Sequence, residues 1–308
     1  MIMKNYNMVS FNGIFPPLPT AFDENQELSA DKIRSNIRIL SRHSLSGFLI
    51  LGSNGELVML SENEKIAAYE AAREAIPENK LMLAGTGGES TRETIRLTRE
   101  AARAGADAAL VLNPFYYKGL MTKETLVAHY HDVAEAAEIP VLIYNMPANS
   151  GIDMTAEIIL EIASHENIVG LKDSGGNLAK TGQIAYLAKP NFQLLAGSAG
   201  FLLPALSMGA TGGILALANI APAQCITIYE KFQQGKLDEA RILQQKMIRL
   251  NTAVTRQWGV PALKAAMDML GLYGGPARKP IQPVTSKTRD DLRQLLATAD
   301  IQSLAGNV

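Results

Sequence analysis

Eight short apolar runs recur along the chain at intervals of about 20 to 35 residues, the spacing of repeated strand–helix units. They are Ile14–Pro19, Gly47–Gly52, Lys80–Thr86, Ala108–Asn113, Pro140–Asn145, Ile168–Asp173, Gln193–Gly197 and Gly213–Leu217. Most are continuously apolar rather than alternating, as parallel strands covered on both faces require. Helix signals fill the intervals. Ser61 and Glu64 form a capping box, Ser90 and Glu93 repeat it, and Ser29 and Thr122 open further helices. Gly105 and Gly209 stand where helices should stop. After Asn219 no further strand is predicted, and helices follow over Pro222–Gln234, Leu237–Thr255, Pro261–Leu270 and Ser286–Thr298.

An open doubly wound sheet would carry a glycine-rich phosphate turn after its first strand, and Pro16-Pro17-Leu18-Pro19-Thr20 has the wrong chemistry for one. The expectation is an α/β chain: a (β/α)8 (TIM) barrel over residues 1–234, then a C-terminal helical extension over residues 235–308.

Bulk properties narrow the function classes. Of the 308 residues, 47% are apolar and 19% charged, which describes an ordinary chain with a sizeable core. A formal net charge of −1 gives no broad field to attract nucleic acid or an anionic membrane. The single cysteine, Cys225, rules out an intrachain disulfide framework and a cysteine-rich zinc site. Residues 1–13 lack the apolar run of a signal peptide, and every apolar stretch is too short to span a bilayer. A cytoplasmic protein acting on a small molecule is expected. His129 and His131 stand two apart in a helical segment and so face different directions, which disfavours a shared metal.

In this fold, chemistry is carried at the C-terminal ends of the strands. Small residues and hydroxyls dominate those positions; paired carboxylates for glycoside hydrolysis and clustered histidines for a metal aldolase are missing. Lys172 is the outlier. It ends a strand that should be buried, where an ammonium costs several kcal/mol of desolvation unless it is paired or loses its proton. A neutral amine can attack a ketone and form an imine, an electron sink. The alternative is a buried salt bridge, which the adjacent Asp173 is badly placed to supply because successive strand residues face opposite sides. Tyr144 ends the preceding strand at the same depth and could either relay protons to that amine or simply cap the barrel. Gly52-Ser53-Asn54-Gly55 reads as a carboxylate nest or as a plain tight turn. The loops Gly197-Ser198-Ala199-Gly200 and Thr211-Gly212-Gly213 occupy the phosphate-binding positions of many barrels, but neither brings a lysine or arginine.

Taken in order, Gly52–Glu56 (Gly-Ser-Asn-Gly-Glu), Tyr144–Pro147 (Tyr-Asn-Met-Pro), Gly170–Ser174 (Gly-Leu-Lys-Asp-Ser) and Gly197–Gly200 (Gly-Ser-Ala-Gly) resemble the dihydrodipicolinate synthase / N-acetylneuraminate lyase family from about Phe11 to about Pro283. The resemblance implies a Schiff-base lysine at Lys172, a proton-relay phenol at Tyr144 and a pyruvate carboxylate held by Ser53 and Asn54. It also implies a backbone carbonyl from Ile214 near the imine, and Tyr116 reaching a neighbouring subunit's site in a homo-oligomer, commonly a tetramer. Where true synthases carry Thr-Thr in the nest and an arginine after Tyr-Asn-x-Pro-x, this chain has Ser53-Asn54 and Asn149.

Within the family the chain most resembles the 4-hydroxy-2-oxoglutarate aldolase type, sharing Pro147-Ala148-Asn149-Ser150-Gly151, Leu195–Phe201, Ala253-Val254-Thr255-Arg256 and Tyr273-Gly274-Gly275-Pro276. That implies cleavage of a 4-hydroxy-2-oxo acid to pyruvate and an aldehyde, with Asn149 and Ser198 against the aldehyde half and no metal or organic cofactor. Two rivals stand beside it: condensation of pyruvate with aspartate semialdehyde, and a non-catalytic oxo-acid binding protein on the same barrel.

Overall fold

The structure, a computed structural model, describes residues 9–305. Residues 1–8, which carry most of the reading of the N-terminus, lie outside them. Eight parallel strands form: β1 (Gly13–Phe15), β2 (Gly47–Ile50), β3 (Leu81–Gly85), β4 (Ala108–Leu112), β5 (Val141–Asn145), β6 (Ile168–Asp173), β7 (Gln193–Ala196) and β8 (Gly212–Ile214). From β2 to β8 each pairs with its sequence neighbour, and β8 returns to β1. Between β1 and β2 the ring closes through the Leu18 amide on the Leu49 carbonyl (2.9 Å) and the Leu49 amide on the Pro16 carbonyl (3.0 Å). The expected (β/α)8 barrel with C-terminal helices is the fold.

Most strands fall within a residue or two of their predicted runs, and the first and last differ most. Ile14–Pro19 contributes a strand only to Phe15, since Pro16 and Pro17 have no amide hydrogen for a ladder. Gly213–Leu217 becomes Gly212–Ile214, and Ala216–Asn219 curls into a 3-10 turn. The second difference corrects a functional expectation. Thr211-Gly212-Gly213 opens β8 at the base of the barrel, where the Thr211 carbonyl accepts from the Gly13 amide (3.2 Å), so it is no phosphate loop at the rim.

The helix signals act largely as read. Ser61 and Glu64 make a reciprocal capping box at the start of the helix Glu62–Ala75. Ser90 caps the helix Thr91–Arg103 by accepting from the Glu93 amide, but the Glu93 carboxylate turns to Arg96 instead of closing the box. Ser29 precedes its helix without a side-chain cap. Gly105 and Gly209 adopt φ of +86° and +98°, the left-handed region in which a Cβ is strained, and both follow the last helical turn.

Apolar packing has two layers. Inside the barrel Phe15, Leu49, Leu83, Leu110, Leu142 and Ile214 fill the lumen, and Phe11 sits among them. The Gln193 side chain bonds the Phe11 amide (2.6 Å) and the Val9 carbonyl (2.8 Å), pinning the N-terminal segment across the base. Outside, a larger cluster joins strands to helices and continues into the extension through Leu250, Val254, Leu263, Met267 and Leu292. The lumen is therefore packed at its base, and only the end that carries Tyr144 and Lys172 is available for a ligand.

A buried ion pair fastens the extension to that end. Lys264, in the helix Gly259–Met269, lies 2.6 Å from the Glu56 carboxylate, both side chains being 1% exposed. Lys264 also donates to the Pro276 carbonyl (2.7 Å), while the Arg278 amide donates to the other Glu56 oxygen (2.8 Å). Burial pushes the Lys264 ammonium below the ordinary lysine range, against the pull of Glu56.

Candidate active site

The register of β5 and β6 creates the centre of the site. Tyr144 is the cross-strand partner of Lys172 and Asn145 that of Asp173. Alternation sends the first pair into the lumen and the second toward the helices. Lys172 is 3% exposed, and its Nζ stands 4.1 Å from the centroid of the Tyr144 ring. The Tyr144 hydroxyl is 3.2 Å from Ser53 Oγ. Among the described residues every ion pair at β6 belongs to Asp173 and none to Lys172.

Asp173 is fully occupied on the outer face. Its carboxylate accepts from the Asn145 side chain (2.8 Å) and the Gly175 amide (2.9 Å), with Lys180 Nζ at 3.7 Å. Asp153 accepts from the same asparagine (2.8 Å) and from Lys180 (2.5 Å). This polar cluster locks the ends of β5 and β6 together and so fixes where Lys172 and Tyr144 point. The salt-bridge alternative for Lys172 fails: the nearby carboxylates are engaged elsewhere.

Ser53–Gly55 forms a 3-10 turn at the end of β2. Gly55 and Glu56 use their amides within it, whereas the first amides of such a turn have no acceptor inside it. Thr20 buttresses the turn by donating to the Gly55 carbonyl at 2.6 Å. Glu56 adopts φ +56°, which swings its carboxylate away from the lumen and onto Lys264. One motif thus presents Ser53 and Asn54 inward and clamps the extension outward.

Lys172, Tyr144, Ser53, Asn54, Asn149, Ser198 and Ile214 all line one open cleft of about 680 Å³ at the C-terminal end of the strands, a size suited to a small-molecule ligand. Tyr116 does not. It is 75% exposed on the loop after β4, edge-on to Tyr117 with centroids 5.0 Å apart. Val254, Thr255, Arg256, Gly259 and Val260 complete the lining from the extension. Sequence reasoning noticed Ala253–Arg256 as a shared motif but gave it no place, because its contact with the barrel depends on helix packing. A π-helix over Ala253–Gln257 makes that contact; such irregular turns recur at functional sites.

The histidines lie apart from the cleft lining. His129 is buried, its Nδ1 2.9 Å from Thr91 Oγ1, and burial lowers its pKa to about 4. His131 lies instead against the Ile162 carbonyl (3.2 Å). Among the described residues no three His, Cys, Asp or Glu side chains gather to hold a metal, and no helix is long and apolar enough to cross a membrane.

The fold and a buried lysine at a strand end define a class of (β/α)8 barrel, and comparison with known proteins narrows it. Residues 10–299 match the Dihydrodipicolinate synthetase family, and the chain belongs to it. A 4-hydroxy-tetrahydrodipicolinate synthase from Methanothrix thermoacetophila is 34% identical, covering 93% of this chain and 96% of its own length. A probable mitochondrial 4-hydroxy-2-oxoglutarate aldolase from Emericella nidulans is 36% identical, covering 92% and 93%. Dihydrodipicolinate synthase from Bacillus anthracis superposes with a TM-score of 0.90 at 27% identity, covering 94% of this chain and 99% of that one. YagE, a prophage protein of the family from E. coli K12 solved with pyruvate, gives a TM-score of 0.89 at 28% identity, covering 95% and 100%. The protein is accordingly an enzyme of the family's pyruvate-dependent lyase and synthase class.

Proposed function

We propose that the protein is a class I aldolase that cleaves a 4-hydroxy-2-oxo acid, such as 4-hydroxy-2-oxoglutarate, to pyruvate and an aldehyde. The observation that carries this reading is a buried lysine without a carboxylate partner, opposite a tyrosine whose hydroxyl meets Ser53. Lys172 Nζ attacks the 2-oxo carbon, and loss of water gives a protonated imine. The substrate carboxylate rests on the amides of Ser53 and Asn54 and on the Ser53 hydroxyl, beside the Ile214 carbonyl. The C4 hydroxyl then passes its proton to the Tyr144 oxygen as the tyrosine's own proton moves to Ser53 Oγ and the Ser53 proton passes on to solvent water in the open cleft. The C3–C4 electron pair flows into the imine nitrogen, which releases the aldehyde and leaves an enamine. Protonation of the enamine at C3 by the reverse relay, followed by hydrolysis, frees pyruvate and restores the amine.

Asn149 and Ser198 face the aldehyde half. An asparagine at 149 offers neither charge nor fork for the carboxylate of an aspartate semialdehyde, which favours the lyase over the synthase. The relatives' names are divided between these two activities, and turnover of 4-hydroxy-2-oxo acids without semialdehyde separates them.

The reading extends to a cytoplasmic homo-oligomer, with Tyr116 serving a neighbouring copy. Its exposure outside its own cleft supports this, as does an apolar pocket of about 280 Å³ next to Tyr144, lined by Leu57, Leu112 and Phe115.

Borohydride reduction in the presence of pyruvate, with intact mass and peptide mapping, tests the mechanism. A stable adduct on Lys172 is expected. Its absence from a folded sample that binds pyruvate overturns the imine.

A further inference from the structure

The charged groups lining the cleft are Asp153, Lys172 and Arg256. Asp153 is already engaged by Lys180 at 2.5 Å and by the Asn145 side-chain amide at 2.8 Å. Lys172 is committed to the 2-oxo carbon under the reading above. Arg256 remains. Among the described residues its guanidinium forms no ion pair and no hydrogen bond, whereas Arg278, on the same extension, forks onto both oxygens of Glu64 (2.5 and 3.0 Å). A guanidinium presents a planar set of donors matched to a carboxylate, and it stays charged at any working pH.

The turn that carries Arg256 is anchored to the barrel, while the arginine itself is exposed. Thr255 Oγ1 donates to the Asn251 carbonyl at 2.6 Å, and the Asn251 side chain donates to Ser198 Oγ at 3.1 Å. The π-turn and the loop after β7 are thereby tied together, so Arg256 lines the wall that includes Ser198. A cleft of about 680 Å³ is far larger than pyruvate fills, and this wall is part of its lining.

We infer that Arg256 is a specificity-determining residue that receives a second, distal carboxylate of the substrate, making the enzyme selective for dicarboxylic 2-oxo acids over monocarboxylic ones of equal length. The inference rests on the imine reading, because Lys172 fixes the near end of the substrate and Arg256 selects at the far end. No charge from Asn149 or Ser198 does this work.

The test compares borohydride trapping on the full-length protein with 2-oxoglutarate and with 2-oxopentanoate, which share five carbons and differ in the terminal carboxylate. Half-saturating concentrations are read for the wild type, Arg256→Ala and Arg256→Lys. Loss of one charge-assisted carboxylate contact corresponds to about 10- to 100-fold. The expected result is that Arg256→Ala weakens 2-oxoglutarate by that factor relative to 2-oxopentanoate, with Arg256→Lys recovering part of it. Equal losses for both acids, with the adduct still mapping to Lys172, overturn the role of Arg256 and leave the imine standing. No adduct in the wild type with pyruvate or with either acid overturns the imine and the inference together.

Discussion

Lys172 and Lys264 are both buried, at 3% and 1% exposure, and each Nζ lies over an aromatic ring, Tyr144 at 4.1 Å and Phe22 at 4.6 Å. Their remaining surroundings differ. Lys264 has the Glu56 carboxylate at 2.6 Å and a backbone carbonyl at 2.7 Å. Lys172 has an aromatic face, the paired hydroxyls of Tyr144 and Ser53 nearby and an open cleft in front. Burial alone therefore does not mark a catalytic lysine. A buried lysine whose counter-charge is supplied fastens two parts of a fold, and one without an ion-pair partner is a candidate for chemistry.

The comparison breaks most sharply at Lys172. Lys172→Ala is expected to lower kcat by at least about 10⁴-fold, the scale on which losing a nucleophile is felt, and to abolish the borohydride adduct. Its melting temperature should stay level or rise, because a buried polar side chain with no ion-pair partner has gone. A clear fall in melting temperature alongside retained turnover would show Lys172 to be structural.

Glu56→Ala should do the opposite. Removing one partner of a buried pair costs about 3 to 5 kcal/mol, because the other charge stays buried and unmatched. Chemical denaturation should report that loss, and Glu56→Leu combined with Lys264→Met should recover most of it. Additive losses in the double variant would mean that the two side chains do not act as a pair.

The smallest effect is acid sensitivity at the same junction. Hydrogen bonds from Arg278 hold the Glu64 carboxyl at about 2, below its ordinary 4.5. A depressed carboxylate pKa contributes stability that is fully present above about pH 4.5 and lost as pH falls through 2. With the Glu64 side chain 22% exposed, solvent screening reduces the contribution to on the order of 1 kcal/mol. Denaturation midpoints between pH 5 and 2 should fall less in Glu64→Gln than in the wild type, after allowing for its lower starting stability. Parallel curves would assign the acid loss to other groups, of which His129 can supply only the part above about pH 4. Its folded pKa of about 4 lies below its ordinary 6.5, so it penalises folding progressively as pH falls between those values.

Much of the site was legible because its members end strands. Once eight apolar runs are recognised, alternation and parallel register place Tyr144 beside Lys172 and turn Asp173 away without any coordinates. The Ser53-Asn54 turn was legible for the same reason, as a glycine-flanked break at a strand end. Thr211–Gly213 was misplaced because glycine pairs mark strand starts and strand ends alike, and only pairing with β1 decides which. The helix boundaries near Ser61, Gly105 and Gly209 followed from local capping and left-handed backbone, which need no distant partner.

By itself, then, the sequence determined the barrel and the inward-facing lysine and tyrosine. These follow from periodicities of two and about four residues and from interactions between neighbouring strands. The tertiary structure alone decided that Glu56 leaves its motif to meet Lys264, and that a π-turn carries Arg256 to the wall shared with Ser198. Both depend on how the last helices dock across the barrel, where partners far apart in the chain are selected by packing and charge rather than by any local pattern.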